Sequence, residues 1–331
     1  MNLLPINSLA DDIYYKPEYT ELYIVSDDSE PFEYTYSEDI FYVTFRSIKR
    51  RINVVAGKVL QKELYDLETS YGYGGPLTNS SDIVFLNRAF KNYKAYCATQ
   101  SIVCEFIRFH PFNALSKYPA LFDMHCQERE VVLVDLTLST EERRALYSKT
   151  TRNIVKKAAL NLDVIIDKLE LPSFMELYYQ TMRKNEAADF YFFKEEYFKS
   201  LLKLEQVNLI GVLKGKQVLS AGFFMCCSEL AHYHLSANSQ ELVKENGNYL
   251  LLDAAFEHAK SLGCRYMMLG GGRTSSADDS LFKFKAKFSP IHVPFYIAGL
   301  DFLPDTRQKL NKMWLEQHGQ SVPKLFQLYR A

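Results

Sequence analysis

Hydrophobic and polar positions repeat along the chain with two periods, one of two residues and one of three to four. In the first half, partial alternation among aromatic and β-branched residues is typical of strands. Apolar residues spaced three or four apart, preceded by Asn79, Ser80 and Ser81 as candidate N-caps, predict a helix from about 82 to 99. Its buried face is predicted to hold Phe85, Leu86, Ala89, Phe90 and Tyr93. The strands predicted in this half are 21–25, 33–36, 40–48, 63–68 and 102–109.

The second half repeats this mixture of periods. It opens on Ser139-Thr-Glu-Glu142, which has the spacing of a capping box and predicts the start of a helix that runs on to about Leu162. The sequence Lys214-Gly215-Lys216 between two strand patterns predicts a hairpin turn. The other helices predicted here are 173–183, 195–203 and 247–262, and the strands are 208–214, 217–227, 230–236 and 265–269.

Both halves run from strands through a loop and a helix to a buried strand with a glycine-rich or turn-rich exit. This self-similarity predicts a duplicated α+β unit, with a mixed sheet of antiparallel meanders and one crossover helix. A length of 331 residues is enough for about two domains. We predict an N-terminal domain over 1–138, a C-terminal domain over 139–295, and a segment over 296–331 that packs back on the N-terminal domain.

Charge, apolar run lengths and cysteine pattern argue against several kinds of function. The 39 Lys and Arg residues against 40 Asp and Glu residues give a formal net charge of −1, whereas coating a nucleic acid needs a clustered excess of positive charge. No apolar run reaches the roughly 18 residues of a membrane span, and the N-terminus lacks the basic region of a signal peptide. Six cysteines without a CxxC pair indicate reduced thiols. We therefore predict a cytoplasmic protein with no DNA partner and no integral membrane segment.

Common catalytic signatures are missing, because the chain has no GxSxG, GxxxxGK[ST] or HExxH motif. Gly270-Gly271-Gly272 follows a predicted strand and precedes a predicted helix, with Ser275 or Ser276 as its cap. Such a turn can present backbone N–H groups to a phosphate or to a developing oxyanion. It is equally well explained as a tight turn without a ligand, because glycine is the usual residue where φ is positive.

Two further clusters have structural explanations. His232 and His234 alternate on one predicted strand and therefore share a face. No third ligand is evident, so hydrogen-bonded structural histidines are favoured and no metal site is predicted. Asp278 and Asp279 stand near the start of a predicted helix, where negative charge is favourable.

Positive charges form two patterns in the second half. Lys149, Arg152 and Lys156 make a cationic stripe on a predicted helix, which is either a solvated face or a phosphate contact. In Ser280-Leu-Phe-Lys-Phe-Lys-Ala-Lys-Phe288, three lysines interleave with phenylalanines directly after the glycine turn. As a strand or as a helix, this segment can hold a lysine against aromatic rings and present its charge to a reacting carbonyl. Amphipathic packing with exposed lysines is the alternative, and residue chemistry alone favours it.

Four short motifs together resemble the FemAB-like acyltransferases, and they occur in that family's order from about residue 63 to 290. Tyr71-Gly-Tyr-Gly-Gly-Pro76 resembles the family's YGYGGP block, and Thr151-Arg-Asn-Ile-Val-Lys-Lys-Ala158 resembles its RNI(R/K)KA helix. Tyr178–Arg183 is similar to the family's FYxxMxxTxR helix, although the order of the residues differs. Leu281–Phe288 is similar to the signature LYxFKxxF.

This resemblance implies an α+β fold of two tandem GNAT-type domains, each a mixed, mostly antiparallel twisted sheet flanked by helices. It implies transfer of an acyl or aminoacyl group to an amine of a cell-envelope precursor, a small or nucleotide-linked building block of peptidoglycan or of an amino-sugar polysaccharide. The co-substrate would be an acyl-CoA or an aminoacyl-tRNA, with no permanently bound cofactor. The alternative is a catalytically silent GNAT-like module that binds partners in a biosynthetic complex.

The resemblance also implies roles for particular residues. Lys285 and Phe284 match the family's active-site pair, with Lys285 suited to stabilising the carbonyl oxygen, and Tyr233 would lie on the strand that faces the acceptor. Gly247 and Asn248 stand where the GNAT loop that binds the donor's pyrophosphate would be. The residues predicted to bind substrate are Tyr73, Arg152, Arg183, Gly271, Gly272 and Arg273. An amine would attack the donor carbonyl directly, without a covalent enzyme intermediate.

Overall fold

The structure, a computed structural model, describes residues 6, 8–24, 26–276, 278–319 and 325–331. The chain divides into two compact units. The first unit contains Ser8–Ala10, Tyr14–Glu128 and Pro294–Ala331, and the second contains Asp11–Ile13 and Arg129–Val293 together with Ile6. That the chain consists of domains with boundaries at 138/139 and 295/296 stays a prediction.

Both units combine helices and strands. The elements up to residue 135 are α1 (Pro17–Glu21), β1 (Ser29–Glu38), β2 (Phe41–Arg51), β3 (Val54–Val55), β4 (Lys58–Val59), β5 (Tyr65–Glu68), β6 (Leu77–Thr78), α2 (Ile83–Thr99), β7 (Ile102–Arg108) and β8 (Met124–Asp135). The elements from residue 140 onwards are α3 (Thr140–Ala145), α4 (Lys149–Ala158), β9 (Asp163–Ile166), α5 (Leu171–Lys184), α6 (Glu195–Leu201), β10 (Val207–Lys214), β11 (Gln217–Cys227), β12 (Leu230–Asn238), α7 (Gly247–Ser261), β13 (Tyr266–Gly270), α8 (Ser280–Ala286), β14 (Ile291–Asp301) and α9 (Pro304–His318).

Each unit contains a mixed sheet. The strand order is β1-β2-β5-β7-β14 in the first unit and β8-β13-β12-β11-β10-β9 in the second. Neighbours in these sheets are antiparallel except β5/β7 and β12/β13, which are parallel. A helix connects each parallel pair, α2 in the first unit and α7 in the second, because parallel neighbours need a crossover. The predicted α+β fold, with mostly antiparallel mixed sheets flanked by helices, is confirmed.

Local hydrogen bonds explain where α2 begins. Asp82 is its N-cap and accepts a hydrogen bond from Val84 N at 2.9 Å, so the predicted caps do not serve α2. Asn79 closes the β1–β2 hairpin instead, because its side chain bonds Ile40 O and Tyr42 N at 2.7 and 2.9 Å. The predicted buried face of α2 lies in the core of the first unit, with the side chains of Phe85, Leu86, Ala89, Phe90 and Tyr93.

The helix predicted from Ser139 is in fact two helices. Ser139 and Glu142 form the predicted capping box at the start of α3. The chain leaves α3 after Ala145, and Ser148 caps α4 by accepting a hydrogen bond from Thr151 N. Leu146, which the apolar period included in one long helix, is the exposed C-cap of α3, so periodicity alone could not show the change of direction.

Three parts of the sequence prediction need correction. The strand predicted at 21–25 is wrong, because Pro17 starts α1, Glu21 ends it and a turn follows; Val25 lies outside the described residues. Strands β8 and β14 were not predicted, since their first halves are exposed or half-buried and mix polar with apolar residues. Helix α9 was missed because it is mostly polar and buries only Leu310 and Trp314.

Two further observations bear on the predicted setting of the protein. Within the described part of the chain, no helix combines the length and the apolar composition needed to cross a bilayer. All six cysteines are free thiols.

Glu105 carries a buried carboxyl group in the core of the first unit. It lies on β7 with 2% of its surface exposed. Ser47 Oγ on β2 and Tyr93 Oη on α2 both donate hydrogen bonds to it. Burial raises the pKa of Glu105 to about 7, although these hydrogen bonds lower it. The folded protein therefore keeps a proton on this group at pH values where the unfolded chain has lost it.

We expect Glu105→Gln to stabilise the protein at pH 8 and to change its stability little near pH 5. The carboxyl pKa is about 7 in the folded state and 4.5 as its ordinary value, so wild-type stability declines as pH rises through this interval. The full decline, and hence the gain from the variant, is about 3 kcal/mol. Urea unfolding at both pH values measures it, with the exposed Glu63→Gln as control. A gain that is the same at both pH values would contradict the assignment.

Candidate functional site

The two parallel strands of the second unit separate along their length. β12 pairs with β13 only through Leu230–His232 opposite Tyr266–Met268. Beyond these pairs β12 continues to Asn238, and among the residues that the structure describes no further backbone pair joins it to β13. We define the notch as the stretch of β12 from 233 to 238 beside the end of β13, where the backbone N–H and C=O groups no longer pair with β13 and can bond an extended ligand.

A β-bulge in β12 shapes one wall of this notch. The register against β11 shifts so that Phe223 opposes Leu235 while Phe224 opposes Tyr233, which leaves one extra residue in β12. A bulge places side chains three positions apart on the same face. Tyr233 Oη and Ser236 Oγ accordingly form a hydrogen bond. Burial raises the pKa of Tyr233, so its phenol stays neutral.

The triple-glycine turn follows β13, and its glycines are needed for two different reasons. Gly270 has a φ of +74°, the left-handed conformation that was predicted for the turn. Gly271 and Gly272 do not have a positive φ. A Cβ on Gly271 would lie 2.6 Å from Arg129 Cδ, and a Cβ on Gly272 would lie 2.3 Å from Asp279 Oδ1. Gly271 and Gly272 are therefore required by close packing, which the prediction from φ did not include.

Asp279 is the N-cap of α8, so the predicted caps Ser275 and Ser276 are wrong. Its carboxylate accepts four backbone hydrogen bonds at 2.9 to 3.0 Å, from the N–H groups of Arg273, Thr274, Leu281 and Phe282. Burial opposes ionisation of Asp279, but these hydrogen bonds lower its pKa. The N–H groups of Arg273 and Thr274, which follow the glycine turn, are thus engaged by the protein itself. That the N–H groups of the three glycines face a ligand, which the sequence left open, stays a prediction.

Segment 280–288 contains the helix α8 rather than a strand, and one of the three lysines of the segment is buried. Lys285 is 7% exposed, whereas Lys283 and Lys287 lie in solvent. Lys285 Nζ donates a hydrogen bond to Gly271 O at 2.8 Å and lies 5.5 Å from the centroid of the Tyr233 ring. The glycine turn therefore offers a carbonyl to this ammonium, directly beside the strand that borders the notch.

The environment of Lys285 changes its charge near neutral pH. Burial lowers its pKa from 10.5 to about 7. The Asp279 carboxylate raises it, and the Arg129 guanidinium lowers it further. Both the ammonium and the amine forms are therefore populated near pH 7. Sequence reasoning missed Arg129, which stands on β8 with no local motif to connect it with the turn.

The other predicted active-site and cofactor residues pack into the same unit. The Phe284 ring makes edge contacts with Tyr249 and Phe288, with centroids 5.1 and 5.6 Å apart. Gly247 begins α7, and a Cβ there would lie 2.8 Å from Leu219 Cβ. This glycine therefore lets α7 approach β11, and Asn248 follows it in the first turn of α7.

Two predicted substrate-binding arginines come together at the end of α5. Arg183 lies in the last turn of this helix and is exposed, and Asn185 is the C-cap. Arg273, which follows the glycine turn, donates a hydrogen bond from Nη2 to Asn185 Oδ1 at 3.0 Å. The structure thus brings Arg183, Arg273 and the glycine turn into one region of the second unit.

The sequence predicts two further substrate-binding residues, Arg152 and Tyr73, and each makes contacts within its own unit. Arg152 Nη1 donates hydrogen bonds to Ala145 O and Tyr147 O at 2.7 and 2.8 Å, and so covers the C-terminal carbonyls of α3. Tyr73 belongs to the first unit, where its ring makes edge contacts with Tyr14 and Phe295.

The two strand histidines have hydrogen-bond partners within the second unit. His232 Nε2 lies 2.6 Å from Asp12 Oδ2, and His234 Nε2 lies 2.8 Å from Tyr197 Oη. Burial lowers the pKa of His234 to about 3, so this ring is neutral. The structural role that the sequence favoured for both rings stays a prediction, because the Asp12 carboxylate beside His232 is a potential ligand that the sequence did not reveal.

We expect Lys285→Met to stabilise the protein below pH 7, and this gain to shrink as pH rises. The unfolded lysine keeps its proton up to its ordinary pKa of 10.5, whereas the folded one loses it near 7. Wild-type stability therefore increases with pH between these values. After allowance for the lost hydrogen bond, the gain at pH 6 is about 2 kcal/mol. Urea unfolding at pH 6 and pH 9 tests this, with Lys283→Met as control, and a gain that does not shrink would refute it.

Comparisons with known proteins agree on the kind of fold. The acetyltransferase (GNAT) domain family matches residues 141–283. The structure is similar to the crystal structure of FemX, with a TM-score of 0.67, 14% identity, and coverage of 90% of this chain and 94% of that one. No curated protein sequence is significantly similar to the chain.

Two other solved structures are similar over most of their length. One is L-PGS from Bacillus licheniformis, with a TM-score of 0.54, 14% identity, and coverage of 88% of this chain and 90% of that one. The other is the C-terminal domain (DUF2156) of a protein designated as a lysylphosphatidylglycerol synthetase from Agrobacterium fabrum, with a TM-score of 0.53, 15% identity, and coverage of 92% and 97%. The GNAT match over 141–283 and the fold shared with FemX confirm the GNAT-type fold that the resemblance to FemAB-like acyltransferases implied.

Proposed function

We propose that this protein is an N-acyltransferase of FemAB-like type, which transfers an acyl or aminoacyl group to an amine of a cell-envelope precursor. The observation that carries this proposal is the buried Lys285 ammonium, held by Gly271 O beside the notch between β12 and β13. An ammonium kept from water in a cleft is placed to stabilise negative charge on a carbonyl oxygen. The match of residues 141–283 to the GNAT domain supports acyl transfer as the reaction class.

The proposed reaction needs two substrates and no covalent enzyme intermediate. The lone pair of a neutral acceptor amine forms a bond to the carbonyl carbon of the donor, and the carbonyl oxygen takes the negative charge beside Lys285. The C–S or C–O bond to the leaving group then breaks, and the leaving thiolate or alkoxide receives the proton that the amine nitrogen loses. Holding both substrates in one cleft can contribute about 7–11 kcal/mol to lowering the barrier.

Two groups of residues suit the charged parts of the substrates. Arg183 and Arg273 lie at the same end of α5 and would bind the phosphates of a nucleotide-linked acceptor. Gly247 and Asn248 open α7, where backbone N–H groups at a helix N-terminus favour a phosphate of the donor. The donor is an acyl-CoA or an aminoacyl-tRNA that enters and leaves as a co-substrate, and no permanently bound cofactor is part of the proposal.

The named structural neighbours favour an envelope component as the acceptor. One of them is designated as a lysylphosphatidylglycerol synthetase, a name that describes an aminoacyl group joined to a membrane lipid. Its sequence identity of 15% means that the similarity itself extends to the fold alone. A cytoplasmic site of action remains our prediction from the sequence.

Lys285→Met should reduce turnover by about a hundredfold or more, because the charge that stabilises the oxyanion is lost. Lys283→Met is the matched control, since Lys283 stands on the same helix, is exposed and pairs with Asp278, and it should keep its turnover within about twofold. The assay measures product with panels of acyl-CoAs, charged tRNAs and amine-bearing envelope precursors. Equal turnover of the two variants would reject the catalytic role of Lys285, and binding of partners without any turnover would favour the silent module.

The donor can be identified by ligand stabilisation. A true donor at a hundred times its dissociation constant should raise the free energy of unfolding by about 2.7 kcal/mol. Thermal shifts with acyl-CoAs and with charged tRNA measure this in the wild type and in Lys285→Met. Binding of a charged tRNA should also weaken steeply with salt. Absence of stabilisation by either donor class would contradict the proposed pair of co-substrates.

A further inference from the structure

Charged side chains of opposite sign hold the triple-glycine turn from two sides. On one side, the Asp279 carboxylate collects backbone N–H groups from both the residues that follow the glycine turn and the first turn of α8. The donors are Arg273, Thr274, Leu281 and Phe282. On the other side, Arg129 Nη1 donates a hydrogen bond to Gly272 O at 2.6 Å. Asp279 thus fixes the two residues that follow the turn through their N–H groups, and Arg129 fixes the turn itself through the Gly272 carbonyl.

The two charged side chains also fill the space that glycine leaves. Arg129 Cδ would lie 2.6 Å from a Cβ on Gly271, and Asp279 Oδ1 would lie 2.3 Å from a Cβ on Gly272. Each glycine therefore accommodates one of the two side chains. Packing this close restricts the directions in which the two carbonyls can point, and Gly271 O is the acceptor for Lys285 Nζ.

We propose that Asp279 and Arg129 are positioning residues for Lys285, which hold the carbonyl-lined turn against its ammonium and act on that ammonium with opposite charges. This inference rests on the proposed function, in which the charge of Lys285 stabilises the carbonyl oxygen of the donor. Asp279 acts through the turn and through its field rather than by touching a substrate, and Arg129 does the same from β8.

The signs of the charges around Lys285 determine whether each substitution raises or lowers its pKa. Burial is the main reason that its pKa lies at about 7, while Asp279 raises this pKa and Arg129 lowers it. Tyr233 faces the ammonium as a neutral phenol, because burial raises its own pKa. Lys283 and Lys287 on the same helix are exposed. Removing the charge of Asp279 therefore lowers the pKa of Lys285, and removing the charge of Arg129 raises it.

The test follows the titration of Lys285 directly in the full-length protein. Lysines are labelled with ¹³C at the ε-carbon, and the signal of Lys285 is assigned by its loss in Lys285→Met. Asp279→Asn keeps an N-cap of nearly the same shape and should lower the titration midpoint by about half a pH unit or more. Arg129→Met should raise it by a similar amount. Asp278→Asn removes a neighbouring, exposed carboxylate that pairs with Lys283, and it should leave the midpoint unchanged.

The outcomes separate this inference from the proposed function. Opposite shifts in Asp279→Asn and Arg129→Met support the positioning role, even in a protein that transfers no acyl group. If the proposed function also holds, the midpoint of the pH–turnover profile moves in the same direction as the NMR midpoint. An unchanged midpoint in both variants, or shifts of the same sign, would overturn the inference. If Asp279→Asn does not fold, the upward shift in Arg129→Met decides alone.

Discussion

The features of the second unit described above depend on one interaction, the burial of the Lys285 ammonium against the Gly271 carbonyl and the Tyr233 ring rather than against a carboxylate. Transfer of such an ion into a protein costs several kcal/mol. Here the compensation is one carbonyl at 2.8 Å and the face of a neutral phenol ring. A neutral carbonyl offsets less of this cost than a carboxylate in contact would, so Lys285 remains close to the pH at which it gives up its proton. Near neutral pH, Lys285 is therefore present both as the charged ammonium and as the neutral amine.

The features around Lys285 are consequences of this arrangement. The turn offers a carbonyl to the ammonium, and the Asp279 carboxylate accepts the N–H groups of the two residues that follow the turn. That carboxylate can approach only where Gly272 has no side chain. On the opposite wall, the bulge in β12 turns Tyr233 and Ser236 to one face. Helix α8, the glycine turn and the bulge in β12 thereby bring the Lys285 ammonium, the Gly271 carbonyl and the hydroxyls of Tyr233 and Ser236 to the notch.

Much of this could be predicted from local sequence, and the rest could not for definable reasons. Periodicity predicted α2, α5, α6, α7 and the three-stranded meander β10–β12 to within a few residues, because the helices have an apolar face and the strands are largely buried apolar runs between turns. The segment 280–288 was ambiguous, since alternating lysine and phenylalanine fits a strand as well as a helix, and only the tertiary contacts of Lys285 choose between them. Asp279 was noticed as a helix-start charge, but its bonds to the residues that follow the glycine turn depend on a loop closing back on the helix. Arg129 gave no signal, because it is far from the turn in sequence.

The two units contain the same crossover, and they differ in what lies beside the end of the parallel pair. In β12–α7–β13 the parallel strands separate after three pairs and leave backbone groups for a ligand. In β5–α2–β7 the chain itself extends the parallel pairing, because Gly74 bridges Phe109 and accepts a hydrogen bond from His110 N at 2.9 Å. Tyr15 Oη adds a second hydrogen bond to Gly74 O at 2.6 Å. The YGYGGP block therefore supplies, within the first unit, the backbone partners that a bound substrate would supply in the second. The corresponding backbone groups of β12 remain available for the substrate that we propose, and Lys285 packs against Tyr233 on that strand.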